Sequence, residues 1–500
     1  MPRRGKAAGA AGANNPTRKD MKKGVAIGAG VVVVVAGAWL GGTWYTGQRI
    51  ADDSQARLDQ VNAYLAATYP GTGLQVEQLS FTRGFFSTQA RYGLTATALP
   101  GSPLKPGERL EFDARVDHGP LPAGALARGH FLPAMAFVHT EMADTDTARP
   151  FFAAAQGKNP LLTDMVLKYG GGASLRAEAA PLQWAEPKVD FGGARFEGDI
   201  GRNLGSLKGR LQAKPIAILL PKDEHLPATQ VRLGDSVADV DSKLGQSGYQ
   251  TGTSSLHIDR VEILPQDDSG SWLSEDIAYK GLVTEEDRFL NGQVDISAGK
   301  LTVNGGALGS QQISLKFARL DGQKLKAVNE VYLRLSQQAA EQGRKPGDFS
   351  GEQTQQLAEA ALPLLADNPT LTLDPFAWKN DKGESRLSLA LTLAQPADRQ
   401  AKGVELMRQL VKNLEARLVL NKPMLTALGT TVLKLQGNSE EEAATQAARQ
   451  VNNIAGMAMM LNLGKAQGDD IIGTLQYGDG KLNLNGREMP TNALLGALPR

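Results

Sequence analysis

Apolar and polar positions alternate along most of this chain. Ala90, Tyr92, Leu94, Ala96 and Ala98 fall on one face of an extended segment, and Leu110, Phe112, Ala114 and Val116 on one face of the next. The same period returns at Ile216, Ile218 and Leu220, and at Ile313, Leu315 and Phe317. It is clearest at Leu387, Leu389, Leu391 and Leu393, a face expected to be dry core. A period of two marks half-buried strands, because successive side chains point to opposite faces. Glycine clusters such as Gly170-Gly171-Gly172 and Gly305-Gly306 punctuate the runs and supply turns.

Helical spacing is confined to a few places. Leu58, Val61 and Leu65 lie three and four residues apart, until Pro70-Gly71 stops the pattern. Leu325, Val328, Val331, Tyr332 and Leu335 form a longer stripe. Ser350 to Gln353 reads as a capping box opening a helix that Pro363 breaks, and Ser439 to Glu442 as a second box. Leu475 and Tyr477, the turn Gly478-Asp479-Gly480, then Leu482 and Leu484 predict a closing hairpin. Strands interrupted by helices, without regular alternation, predict an α+β fold. It is a mainly antiparallel, strand-rich domain with several helices, and subdivisions are expected near 320–370 and 400.

The N-terminus follows different rules. Residues 1–23 carry Arg3, Arg4, Lys6, Arg18, Lys19, Lys22 and Lys23 against Asp20, seven cations to one anion and a net +6. Residues 24–45 hold no charge and end in Trp39, Trp44 and Tyr45. A basic flank before an apolar span with an aromatic end predicts a single transmembrane helix with its N-terminus in the cytoplasm. Residues 46–500 would then lie on the far side. Ala36-Gly37-Ala38 has the form of a signal-peptide cleavage site, the competing reading.

Composition narrows the chemistry. Hydrophobic residues make up 41% and charged ones 21%, a globular balance. The absence of cysteine excludes disulfides, thiolate catalysis and cysteine-based metal centres. A net charge of +1 removes the electrostatic argument for nucleic acid.

Four blocks resemble the YdgA-like family of bacterial envelope proteins. They are Thr82-Arg83-Gly84-Phe85-Phe86-Ser87, and Asp117-His118-Gly119-Pro120-Leu121-Pro122 followed by Gly129-His130-Phe131-Leu132-Pro133-Ala134. The third is Asn368-Pro369 with Leu371 to Pro375 and Trp378, and the fourth is Leu484-Asn485-Gly486-Arg487-Glu488-Met489-Pro490. The resemblance implies a bacterial inner-membrane anchor and a periplasmic domain. It carries over no catalytic residue, and marks Arg83, Gly84, Phe85, Phe86, His118, Gly119, Pro120, Asn485 and Gly486 as motif positions without a role.

Other chemistry is sparse. His118, His130 and His139 with Glu141 and Asp144 offer ligand types but no metal-binding spacing. Ser297-Ala298-Gly299-Lys300 spells an acylation motif without its companion elements. Met457, Met459 and Met460 suit core filling or an adaptable binding stripe. Arg83 to Ser87 is expected to be a bend between strands, with one phenylalanine entering the core. No catalytic residue, metal ligand or cofactor is assigned. The leading reading is a non-enzymatic envelope protein that binds a protein partner or an amphiphile; the alternative is a periplasmic hydrolase acting on an envelope polymer or lipid. A homodimer is left open.

Overall fold

The computed structural model describes residues 73–96 and 107–490, with short gaps at 186–187, 223–226, 268–269, 343, 345–346, 399–400 and 402, and helical positions between 58 and 66. The basic tail and the apolar span 24–45 lie outside the described residues. Among those described, no helix is long and apolar enough to cross a membrane.

Alternation builds one antiparallel sheet. Its N-terminal meander is β1 (Gln75–Arg83), β2 (Ser87–Thr95), β3 (Arg109–His118), β4 (Ala136–Met142), β5 (Leu161–Leu167) and β6 (Ala173–Ala179). The centre holds β7 (Leu182–Trp184), β8 (Val189–Phe191), β9 (Ala194–Ile200), β10 (Ser206–Ala213) and β11 (Ile216–Leu220). It continues with β12 (Thr229–Leu233), β13 (Ser236–Leu244), β14 (Gln250–Pro265), β15 (Trp272–Glu286) and β16 (Phe289–Val303). Last come β17 (Gly306–Asp321), β18 (Thr370–Asn380), β19 (Gly383–Leu393) and β20 (Val411–Asn421), then β21 (Lys465–Gln467), β22 (Asp470–Gly478), β23 (Lys481–Leu484) and β24 (Arg487–Met489). Pairing runs β1 to β6, then β9, β10, β13 and β14 to β20, then β22 to β24. β7, β8, β11 and β12 form a second route that also reaches β14.

That branch is a crease. Ala179, Ala194, Ala213, Ser236, Ile258, Ile277 and Ala298 are in register across seven strand lines. Leu182, Phe191, Ile216, Leu233, Val261, Ser274 and Leu301 form the adjacent row. Along each chain the two rows are three residues apart, so strict alternation would set them on opposite faces. The ladder skips one residue there, Asp259 in β14, Asp276 in β15 and Gly299 in β16, and that single offset restores the phase. Val261, Ile263, Trp272 and Ser274 from one side of the crease line a single depression of about 320 Å³ with Ile277, Ile296, Ala298 and Ile313 from the other. Between the shorter strands the positions separating the two rows include Pro181, Pro215 and Gly192-Gly193, which suit a ladder interruption. Gly193 adopts φ +98°, and its carbonyl accepts from Lys214 N at 2.8 Å, which keeps the crease hydrogen-bonded.

Helices decorate the sheet unevenly. α1 (Ala123–Ala127) and α2 (Arg149–Ala154) serve the N-terminal meander. α3 (Gly322–Glu341) packs on α4 (Gly351–Ala361) and on β17. α5 (Gly403–Leu410) leads into β20. α6 (Lys422–Leu435) packs on α7 (Glu440–Met460) and against β17 to β20. Both expected capping boxes form, at Ser350 with Gln353 and at Ser439 with Glu442, and α4 gives way to a 3-10 turn at Leu362-Pro363. Asn62, in the first helical segment, covers part of the edge of β1: its carboxamide accepts from Val76 N at 2.8 Å and donates to Val76 O at 2.9 Å.

One expectation needs correcting. Leu387, Leu389, Leu391 and Leu393 are half-buried rather than dry. They face Phe376, Leu373 and Leu371 on one side and Leu418, Ala416 and Leu414 on the other, and Phe376, Leu371 and Leu418 are themselves 38–40% exposed.

Candidate functional site

Cross-strand register turns period two into two continuous faces. One row runs Ala177, Phe196, Leu211, Ala238, Leu256, Tyr279, Ile296, Ile313, Phe376, Leu387 and Leu418. Ten strand steps of about 4.8 Å make it roughly 48 Å long. The Tyr279 hydroxyl is its only polar side-chain group. Leu211, Leu256, Ile296, Phe376 and Leu418 each remain 37–43% exposed. From Ser174 to Gln246 the one buried residue among those described is Gly193, at the crease. Glycines shape this face: a Cβ on Gly209 would meet the Phe196 ring at 2.7 Å, so the ring lies flat on the sheet.

The opposite face carries charge of alternating sign. His139, Asp164, Arg176, Glu197, Arg210 and Asp239 are successive cross-strand neighbours. Arg176 pairs with Glu197 at 2.6 Å, Arg210 with Asp239 at 2.9 Å and Lys208 with Asp241 at 2.9 Å. Glu197, Lys208, Arg210, Asp239 and Asp241 line a depression of about 700 Å³. The Glu197 carboxyl is held below its usual range by Arg195 and then Arg176, and that of Asp199 by Lys168 and then Ser174. Each carboxylate therefore stays ionised beside its own cation. A general acid needs the reverse, a carboxyl whose affinity for protons is raised.

The family blocks fall into two places. Arg83 to Phe86 form the β1–β2 turn, and His118-Gly119-Pro120 leave β3 beside it. His118 holds the turn from across the sheet. Its backbone N–H donates to Phe86 O at 2.9 Å, and its Nδ1 lies 3.1 Å from Phe85 O. A carbonyl only accepts, so Nδ1 carries the proton and Nε2 accepts from Thr88 Oγ1 at 2.8 Å. Burial lowers the His118 pKa, which agrees with a neutral ring. Gly119 is packed so tightly that a Cβ would sit 2.0 Å from Ala134 O. Neither Phe85 nor Phe86 enters a core; their rings meet edge to face at 4.9 Å and stay half exposed.

Asn485 and Gly486 sit at the far end of the strand order, in the β23–β24 turn. The buried Asn485 carboxamide accepts from Thr474 N at 2.7 Å and donates to Asn462 O at 2.6 Å, a structural tie. The histidines do not share a site: His118 bonds Thr88 and Phe85, whereas His139 bonds Asp164. No group of three or more metal-ligating side chains occurs among the described residues. Met457, Met459 and Met460 are exposed on the last turns of α7, not core filling. The sequence reading missed the long apolar row and the crease. The step of three between Ala213 and Ile216, repeated between Leu233 and Ser236, was the available signal.

A family profile, described as a bacterial protein of unknown function (DUF945), matches residues 21–492. The chain belongs to this family. It is 29% identical to protein YdgA of Escherichia coli K12 over 482 residues, 94% of this chain and 95% of that one. It is 25% identical to the uncharacterized protein YihF of the same organism, over 92% and 96% of the two chains. A Haemophilus influenzae protein, also uncharacterized, shares 21% identity over 63% of this chain. No solved structure matches.

Proposed function

We propose that this protein is a membrane-anchored envelope protein whose strand-rich domain holds the hydrocarbon part of an amphiphile along its apolar face. The anchor is the uncharged span 24–45, which follows seven cations, and the domain lies in the periplasm. The observation that carries the reading is the row from Ala177 to Leu418. It is long and half exposed, and it nearly lacks hydrogen-bonding groups. An acyl chain needs no polar partner, whereas a docked polypeptide must satisfy its own backbone. The role is binding rather than catalysis. A hydrolase acting on an envelope polymer is less well supported, because Glu197, Asp239 and Asp241 beside the charged depression each pair with a cation.

The test is lipid analysis by mass spectrometry of the full chain purified from membranes, beside Ile296→Asn. Ile296 is 43% exposed, so the variant should stay folded and lose most of the co-purifying lipid. Wild-type protein without lipid, or with a stoichiometric protein partner protected at Ile296, would overturn the reading.

A further inference from the structure

The two ends of the strands are chemically unlike. Antiparallel pairing sets five connections on one rim: 84–86, 119–135, 168–172, 201–205 and 245–249. The first four contain no Asp or Glu and carry Arg128, Lys168 and Arg202, whereas the Glu285 carboxylate accepts from Gln246 N and Ser247 N of the fifth, and Asp287 stands in the next turn along that rim. The other rim holds Asp144, Asp146 and Asp267 in its connections. The first four connections also bear large exposed apolar side chains. Phe131 and Leu132 are 74% and 70% exposed, and Phe85, Phe86, Tyr169 and Leu204 about half. Arg128 and Lys168 reach back to Asp164 and Asp199 on the strands, while Arg202 donates to the Gly170 carbonyl at 2.9 Å.

We propose that the first four of these connections dock on an anionic lipid bilayer, with Phe85, Phe86, Phe131 and Leu132 entering the headgroup layer and Arg202 facing lipid phosphates. Exposed apolar rings beside a cation, with no acid in these four connections, are a composition that partitions to such an interface. The clamp of His118 on Phe85 and Phe86 presents two of the rings without an ordering cost at docking. Seven strand steps, from β1 to β10, span about 34 Å, so the contacts act together along one edge. The proposal goes beyond amphiphile binding and does not require it, since the sheet face could be empty while the rim docks.

The chain has no cysteine, so single sites can be labelled cleanly. Phe131→Cys and, on the other rim, exposed Asp144→Cys would each carry an environment-sensitive fluorophore. The full chain would be reconstituted in phosphatidylcholine vesicles with and without phosphatidylglycerol, with nitroxide-labelled lipid as quencher. Quenching at 131 should exceed that at 144 several-fold, grow with phosphatidylglycerol and fall as salt rises. Adding Phe85→Ser and Phe86→Ser should weaken it while the thermal unfolding midpoint holds. Equal quenching at both sites overturns the proposal. A fluorophore at 131 that is shielded without quenching overturns it too, pointing to a protein on this rim. Quenching indifferent to phosphatidylglycerol overturns its anionic part. Co-purified lipid is read separately, so loss of the sheet-face reading leaves this result intact.

Discussion

The N-terminal meander and the central sheet are built from the same alternation, yet only the first has a core. In β2 to β5, Thr88, Ala90, Ala114, Val116, His118, Ala136 and Phe137 are buried. Phe151 and Phe152 from α2 cover Leu110, Phe112 and Met142. On the other face Gly124 N donates to Asp117 Oδ2 at 2.9 Å, and the Arg128 guanidinium lies 4.7 Å from the Phe137 ring centre. In β9, β10 and β13 no residue on either face is buried among the described residues. Connection length makes the difference. The connections 119–135 and 143–160 can fold back over the sheet and bring apolar side chains with them, whereas 201–205 and 245–249 can only turn. An uncovered apolar face keeps its hydrophobic free energy available for a ligand, while a covered one has already used it in folding.

The sharpest test of this contrast is a pair of truncations. Phe137→Ala should cost about 3–5 kcal/mol, because the ring is 3% exposed and its removal leaves a cavity. Ile296→Ala should cost only about 1 kcal/mol, because solvent already reaches the side chain. Denaturant unfolding of both variants measures the gap, and equal costs would mean that the central face is covered. The crease comes next. Gly193→Val should destabilise by about 1–3 kcal/mol, since a side chain at φ +98° is strained and its Cβ would lie 3.0 Å from Ala179 O. Hydrogen exchange should rise around Ala179 and Ala194 and leave β2 to β4 unchanged; a uniform rise would tie the two regions together.

The smallest effect belongs to His118. Burial lowers its pKa in the folded chain, so the unfolded chain binds the proton more readily. Its contribution is complete above the unfolded value of about 6.5 and is lost as pH falls from there through the folded value. The expected change is a lower unfolding temperature for the meander at pH 5 than at pH 7. His118→Gln should flatten that pH dependence. An unaltered slope would assign it to other groups.

Much was legible in the residues alone. Period two located the strands at Leu110 to Val116 and Leu387 to Leu393, because side-chain parity is a local property of extended backbone. Ser350, Ser439 and the Gly478-Asp479-Gly480 turn could be read for the same reason, since a cap or a tight turn closes within four residues. The motif positions were found without their roles. His118 meets Phe85 only because β3 lies beside β2, and Asn485 meets Asn462 only because the terminal hairpin folds against the end of α7. Parity also says nothing about cover. A run such as Leu207, Gly209, Leu211 and Ala213 reads alike whether a helix lies over it or solvent does. A step of three from Ala213 to Ile216 reads as a turn until six other strands repeat it at the same height. The crease and the open face arise from registry among segments more than a hundred residues apart, and only the tertiary fold decides that registry.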